Sequence, residues 1–347
     1  MKSISEIDAN FRIETQIDKQ DIKFYDIKRQ PFKIYGVFYE NGKYRRIPEA
    51  VAKAVSEDVW ALHTNTAGGR VRFKTDSPYI AIHAEMSGVG KMSHFALSGS
   101  AGFDLYDADK GYIQTFIPPF DITDGYESVI ETESSEIREY IINFPLYSNV
   151  DELYIGISET ASVYEPDPYR IEKPIVYYGS SITQGGCASR PGNSYEGIIS
   201  HRLDCNYINL GFSGSAMAEE EIAEYIKKLD MSVFVYDYDH NAPSAEHLAN
   251  THEKMFNTIR KANPGLPVIL MSRPKYYLTE DEKVRLDIIK NTYNNAVGNG
   301  DRNVYLIEGP ELMKMAGYEG TVDNCHPNDL GFGSMAAALG DLLEKIL

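Results

Sequence analysis

From Pro174 onward the chain alternates short apolar runs with longer amphipathic stretches, and this alternation is the strongest constraint on its fold. The candidate strands are Ile175–Tyr178, Asn206–Leu210, Val233–Tyr236, Val268–Met271 and Val304–Ile307. Helix-like stretches lie between them near 194–203, 218–229, 245–263 and 280–297, with a last one near 331–346. Strands joined through helices pair in parallel, because each crossover returns the chain to the same end of the sheet. The expectation is therefore an α/β unit, a parallel sheet of about five strands with helices on both faces.

The residues up to about Tyr164 follow a different pattern. Arg70–Lys74, Tyr79–His83, Glu139–Asn143 and Leu153–Ile157 are short β-rich runs separated by Gly, Ser, Asp and Pro clusters. Such spacing predicts an all-β sandwich or jelly roll. Trp60–His63 reads as another strand, and only Pro48 to Ser56 as a short helix. The segment Val163-Tyr-Glu-Pro-Asp-Pro-Tyr-Arg170 has two prolines and no periodicity, so it reads as a linker. The expected organisation is a β-sandwich over residues 1–165 followed by an α/β domain over 170–347, a reasonable division for 347 residues.

Charge narrows the function classes. A formal net charge of −17 is unsuited to binding nucleic acid, whose phosphates require Lys and Arg, or to docking on anionic membrane. No run of 18 apolar residues offers a transmembrane helix, and Met1–Asn10 lacks the apolar stretch of a secretory signal. The three cysteines, Cys187, Cys205 and Cys325, suit a reducing compartment better than a disulfide framework. A cytoplasmic protein acting on a small neutral substrate is expected.

The chemistry is carried by Ile175-Val-Tyr-Tyr-Gly-Ser-Ser-Ile-Thr-Gln-Gly185, a buried strand running into a turn that presents Ser181 at the carboxyl end of the sheet. Open α/β sheets bind ligands at that edge. A serine there needs a base, an acid to orient the base, and donors for an oxyanion. His326, in Asp323-Asn-Cys-His-Pro-Asn328, lies just before the last helix, and Asp323 sits three residues upstream. Gly214 follows the second strand and Asn241 the third. Taken singly, each has an ordinary explanation: a turn serine, a turn glycine, a turn asparagine, a histidine beside a helix cap. Together, three successive strands ending in Ser, Gly and Asn point to one site.

These blocks resemble the SGNH (GDSL-type) hydrolase superfamily. Gly179-Ser-Ser-Ile-Thr183 is similar to its Gly-Asp-Ser-(Leu/Ile) block, which implies Ser181 as nucleophile. Gly214 and Asn241 match the second-block and third-block residues, which implies an oxyanion hole of Ser181, Gly214 and Asn241. Asp323 and His326 match the final Asp-x-x-His, completing the implied catalytic set. The resemblance implies a flavodoxin-like catalytic domain needing no cofactor and no metal; the cysteines also lack a Cys-x-x-Cys pair for zinc. Two departures stand out: Ser180 replaces the usual aspartate, and the third block reads Asp239-His-Asn-Ala242. Asp239 and His240 thus join Arg273, at the end of the fourth strand, as candidate substrate contacts.

A second block, Gly102-Phe-Asp-Leu-Tyr106, is similar to the Gly-x-Asp-Leu-Tyr motif of β-sandwich domains that precede some SGNH hydrolases. The implied function is hydrolysis of short acyl esters, acetyl above all, on a small molecule or glycan. An acyltransferase using the same acyl-enzyme and a non-catalytic carbohydrate-binding protein are the alternatives.

Overall fold

In the computed structural model, which describes residues 4–13, 16–132 and 134–347, the second half of the chain forms one parallel sheet. Its strands are β1 (Ile171–Gly179), β2 (Cys205–Gly211), β3 (Val233–Asp237), β4 (Val268–Met271) and β5 (Val304–Ile307), ordered β2-β1-β3-β4-β5. This is the flavodoxin-like order, in which the chain reverses its direction of winding between β1 and β3 and opens a crevice there. The central stretches of the strands are apolar because both faces are covered. On one face Val176, Tyr178, Phe234, Tyr236 and Leu270 pack against helices Glu220–Ile226, Ala245–Ala262 and Glu280–Gly298. On the other, Ile175, Tyr177, Val235 and Ile269 meet Tyr195–Leu203 and Asp329–Ile346.

The first half supplies two antiparallel sheets. One contains Ile22–Asp26, Glu152–Ser158, Tyr79–Glu85 and Gly125–Glu131 in that spatial order. The other contains Val163–Tyr164, Arg70–Thr75, Arg138–Asn143, Phe103–Asp107 and Gly111–Phe116, with Lys33–Tyr35 also pairing to Arg70–Thr75. Inward residues of both sheets, among them Ile80, Ile82, Ile155, Phe73, Leu105 and Ile142, share one core. No helix among the described residues is long and apolar enough to cross a membrane.

Two sequence expectations need revision. Trp60–His63 is not a strand, because Glu57–Leu62 is a helix that ends at His63. Ser56 caps it by accepting the Val59 N–H at 3.1 Å, and Glu57 and Asp58 complement the positive end of its dipole. This helix and Glu49–Val55 pack Val59 and Ala52 into the core of the parallel sheet rather than into that of the sandwich. The proline-rich segment is also no free linker. Val163–Tyr164 extends a sheet, and Tyr169 is buried with its hydroxyl accepting from Arg70 Nε at 3.0 Å.

Buried polar groups join the halves. Arg70, 1% exposed, donates to Asn206 Oδ1 at 2.7 Å and lies 3.9 Å over the Tyr207 ring. Asp104, fully buried, accepts from Gly192 N–H at 2.7 Å, Arg190 at 3.1 Å and Asn143 at 2.7 Å. Two residues on, Tyr106 stacks on His201 with ring centroids 3.7 Å apart and also meets Arg190. Strand alternation accounts for the motif: Asp104 and Tyr106 face the α/β half while Phe103 and Leu105 fill the sandwich core.

Candidate active site

The site is assembled at the carboxyl ends of three adjacent strands. Gly179 ends β1 level with Gly211 of β2 and Asp237 of β3, so the following turns emerge side by side at the crevice. A side chain at Gly179 would come within 2.1 Å of Thr183 Oγ1 and 2.2 Å of the Asp237 carbonyl, so the sharp turn requires glycine. The two serines that follow have different environments. Ser180 is fully buried and its Oγ accepts the Ile182 N–H at 3.1 Å, which caps the turn. Ser181 is 8% exposed, with its Oγ 3.0 Å from His326 Nε2.

His326 is held by its own loop. Its Nδ1 lies 2.7 Å from Asp323 Oδ2, while Asp323 Oδ1 accepts the N–H of His326 at 2.7 Å and of Cys325 at 3.0 Å. With Nδ1–H donating to the carboxylate, Nε2 is left to accept from Ser181. Burial pushes the Asp323 carboxyl up, but the hydrogen bonds from the His326 ring and the two backbone N–H groups outweigh it. The carboxyl is lowered to about 2 and remains ionised beside the imidazole.

The loop holding Gly214 is tied to the end of β1 by the Phe212 N–H, which donates to the Gly179 carbonyl at 2.9 Å. Gly214 has a left-handed φ of 71°, and nothing stands within 4 Å of where a Cβ would point. Asn241 Nδ2 donates to the Phe212 carbonyl at 2.8 Å, which fastens the asparagine to the Gly214 loop and leaves its second amide N–H for another acceptor.

The three candidate substrate contacts separate. Asp239 is buried, its Oδ1 paired with Arg285 Nε at 2.8 Å and Arg273 Nε at 3.3 Å. Arg285 also donates to the backbone carbonyls of Asp239 and Ala242, both at 2.7 Å. Asp239 and Arg273 therefore brace the turn after β3, with their charges directed at each other. His240 is half-buried, its Nδ1 3.8 Å from Cys325 Sγ and its Nε2 buried without a partner among the described residues. Burial and the charges of Arg273 and Lys275 lower its pKa far below that of a free imidazole, so the ring is neutral.

The sandwich half adds residues that carried no local signal. His94 lies in an exposed loop with its Nε2 3.9 Å from Asp323 Oδ2 and its ring centroid 5.8 Å from that of His326. Tyr147 donates its hydroxyl to the Ser181 carbonyl at 3.2 Å. Gly186 fits beneath them: a Cβ there would lie 3.0 Å from both the Ser181 carbonyl and the Tyr147 hydroxyl.

All three cysteines are free. His94, Cys187 and His326 bring ligand atoms within 4.8 Å of one another, but the trio is a poor metal cradle. Tetrahedral zinc requires donors about 3.5 Å apart, and His326 already uses both nitrogens. Burial, with the nearby Asp323 charge, raises the Cys187 thiol to about 11, so the side chain is a neutral thiol.

Residues 172–344 match the family model of GDSL-like lipases and acylhydrolases, and residues 22–163 match that of the N-terminus of SGNH-hydrolase-type esterases, the GxDLY family. No curated protein matches the chain at a significant level. Several solved structures resemble it over more than nine-tenths of both chains. A protein of Bacteroides ovatus assigned to the GDSL-like lipases is 28% identical, with a TM-score of 0.83, over 94% of this chain and 98% of that one. The salicylyl-acyltransferase of a tetracycline biosynthetic pathway is 17% identical, with a TM-score of 0.75, over 92% and 96%. An acetyl xylan esterase from the rumen bacterium Butyrivibrio proteoclasticus is 12% identical, with a TM-score of 0.60, over 93% and 98%.

Proposed function

As the half of the chain spanning residues 172–344 belongs to the GDSL-like lipase and acylhydrolase family of carboxylic ester hydrolases, we propose that the protein removes short acyl groups, chiefly acetyl, from a carbohydrate through an acyl-enzyme on Ser181. Ser181 Oγ attacks the ester carbonyl while His326 Nε2 takes its proton and Asp323 stabilises the resulting imidazolium. The tetrahedral oxyanion is met by the backbone N–H groups of Ser181 and Gly214 and the side-chain amide of Asn241. His326 then returns its proton to the departing sugar alcohol, and a water deprotonated by the same nitrogen releases the acid.

The observation that carries this reading is the unbroken relay from Ser181 Oγ to His326 Nε2 at 3.0 Å and from Nδ1 to Asp323 at 2.7 Å. It follows β1, where the sheet's winding reverses, and Asn241 is tied to the loop after β2 through the Phe212 carbonyl. The short-acyl assignment is supported by the likeness in architecture to an acetyl xylan esterase. The carbohydrate assignment is supported by the same likeness and by a net charge unsuited to polyanions.

The test is a Ser181→Ala variant assayed on p-nitrophenyl acetate and on acetylated oligosaccharides, alongside fluorophosphonate labelling of the unaltered protein. Turnover should fall by at least about 10⁴-fold and labelling should require Ser181. Full turnover in the variant sinks the nucleophile assignment. Release of acyl sugar in preference to acetate, with free sugar present, indicates an acyltransferase.

A further inference from the structure

Beyond the catalytic loop, at the same carboxyl edge of the sheet, lies a cleft whose walls are tyrosines. It occupies about 260 Å³ between the segment that follows β4 and the loops preceding His326, and Lys275, Tyr276, Tyr277, Tyr318, Thr321 and Asn324 line it. Tyr276, Tyr277 and Tyr318 are 44%, 68% and 74% exposed, which is unusual for large aromatic side chains gathered in one place. Tyr276 and Tyr318 meet edge to face, centroids 5.0 Å apart and planes at 80°, so one phenol fixes the other with a ring face still open.

The cleft is joined to the catalytic residues through its floor. Asn324 directly follows Asp323, and Lys275 Nζ donates to its Oδ1 at 3.2 Å and to its backbone carbonyl. Thr321 pairs with Pro327, and Val322 N–H donates to the His326 carbonyl at 2.9 Å, closing the catalytic loop against the cleft. A molecule in the cleft would therefore rest against the loop that carries the base.

The lining selects a class of ligand. Tyrosine rings offer flat apolar faces with polar edges, and the surrounding Lys, Thr and Asn groups supply donors and acceptors. Only Met313 among the lining residues is aliphatic apart from a proline and a glycine, so the apolar surface on offer is chiefly aromatic. The volume lies just below that of ligand pockets, which run to about 300–1,000 Å³, so it suits one small ring. A pyranose ring, with apolar C–H faces and a rim of hydroxyls, satisfies both features.

We propose that the Tyr276–Tyr318 cleft is a saccharide-binding subsite that holds an unesterified sugar unit of the glycan whose neighbouring acylated unit faces Ser181. This inference rests on the carbohydrate-ester reading above, but it is tested by binding and not by turnover alone. Calorimetric titration of the full-length protein with unesterified xylo-, manno- and cello-tetraose should show binding of at least one. Replacing Tyr276 and Tyr318 together by alanine should weaken it by about tenfold for each ring removed, whereas Tyr318→Phe should retain it. Tyr318→Ala alone, at a largely exposed position, serves as the variant least able to disturb folding, and thermal melting reports on all of them.

Absence of binding by any of the three tetrasaccharides, or equal binding by the double variant, overturns the subsite. The two readings separate cleanly. If a tetrasaccharide binds through these tyrosines but its acetylated form is not hydrolysed, the subsite stands and the carbohydrate-ester reading falls. If acetylated glycans are hydrolysed with the same KM by the double variant, the reading stands and the subsite falls.

Discussion

The two walls of the proposed active site are built by different rules. The α/β wall presents its groups as ends of consecutive parallel strands: Ser181 after β1, Gly214 after β2, Asn241 after β3, with Asp323 and His326 on the last loop. The sandwich wall presents His94 and Tyr147 from loops far apart in the chain and is fastened by Asp104 and Tyr106. One wall follows from topology, since parallel strands must all end at the same edge. The other follows from docking, and its residues reach the site only because a separate layer is clasped against the first. The chemistry should therefore depend steeply on the first wall, and stability and fine adjustment on the second.

That contrast can be broken at several points. The largest effect is expected on the α/β wall, where Asn241→Ala should lower kcat by about 10²–10³ with KM little changed, as loss of one oxyanion donor does. A loss shared equally between KM and kcat would instead make Asn241 a binding residue. Next, on the sandwich wall, Asp104→Ala leaves Arg190 and the Gly192 N–H without their buried partner. It should destabilise the protein by about 3 kcal/mol in denaturant unfolding. Unchanged stability would show that the clasp contributes nothing measurable.

A pH effect is expected just beneath the catalytic edge. Burial raises the Asp237 carboxyl to about 8, against the opposing hydrogen bonds from Thr183 and Tyr195. The folded state thus binds a proton that the unfolded state releases near pH 4. The stability associated with this group is full below that value and is lost as pH rises through about 8. Asp237→Asn should flatten the dependence, gaining on the order of 4 kcal/mol relative to the parent between about pH 5 and 9. Parallel melting profiles for the two proteins across that range would falsify the assignment of a neutral carboxyl. The smallest effect is expected from His94→Ala: an exposed group 3.9 Å from Asp323 should contribute about two- to five-fold in kcat/KM. A thousandfold loss would make the sandwich wall catalytic and erase the contrast.

Several details are illegible in the sequence for identifiable reasons. Trp60-Ala-Leu-His63 has apolar residues suited to a strand, but the Ser56 cap and two acidic residues in the first turn set a helix, and packing against the parallel sheet retains it. Asp239 reads as a pocket-rim carboxylate because its partner Arg285 lies 46 residues away on a helix. His94 sits in an ordinary polar loop, and nothing around it in sequence marks it as a neighbour of Asp323.

The sequence by itself determined the alternation that makes a parallel sheet, the order of its strand-end residues, and the short Asp-x-x-His span that a single loop can close. These are local or follow from strand direction, so periodicity and spacing encode them. The tertiary structure alone decided which charges face one another and which sandwich residues complete the wall. Each of those depends on contacts between distant segments, where burial, volume and the need to pair every buried polar group choose among arrangements the local pattern leaves equally open.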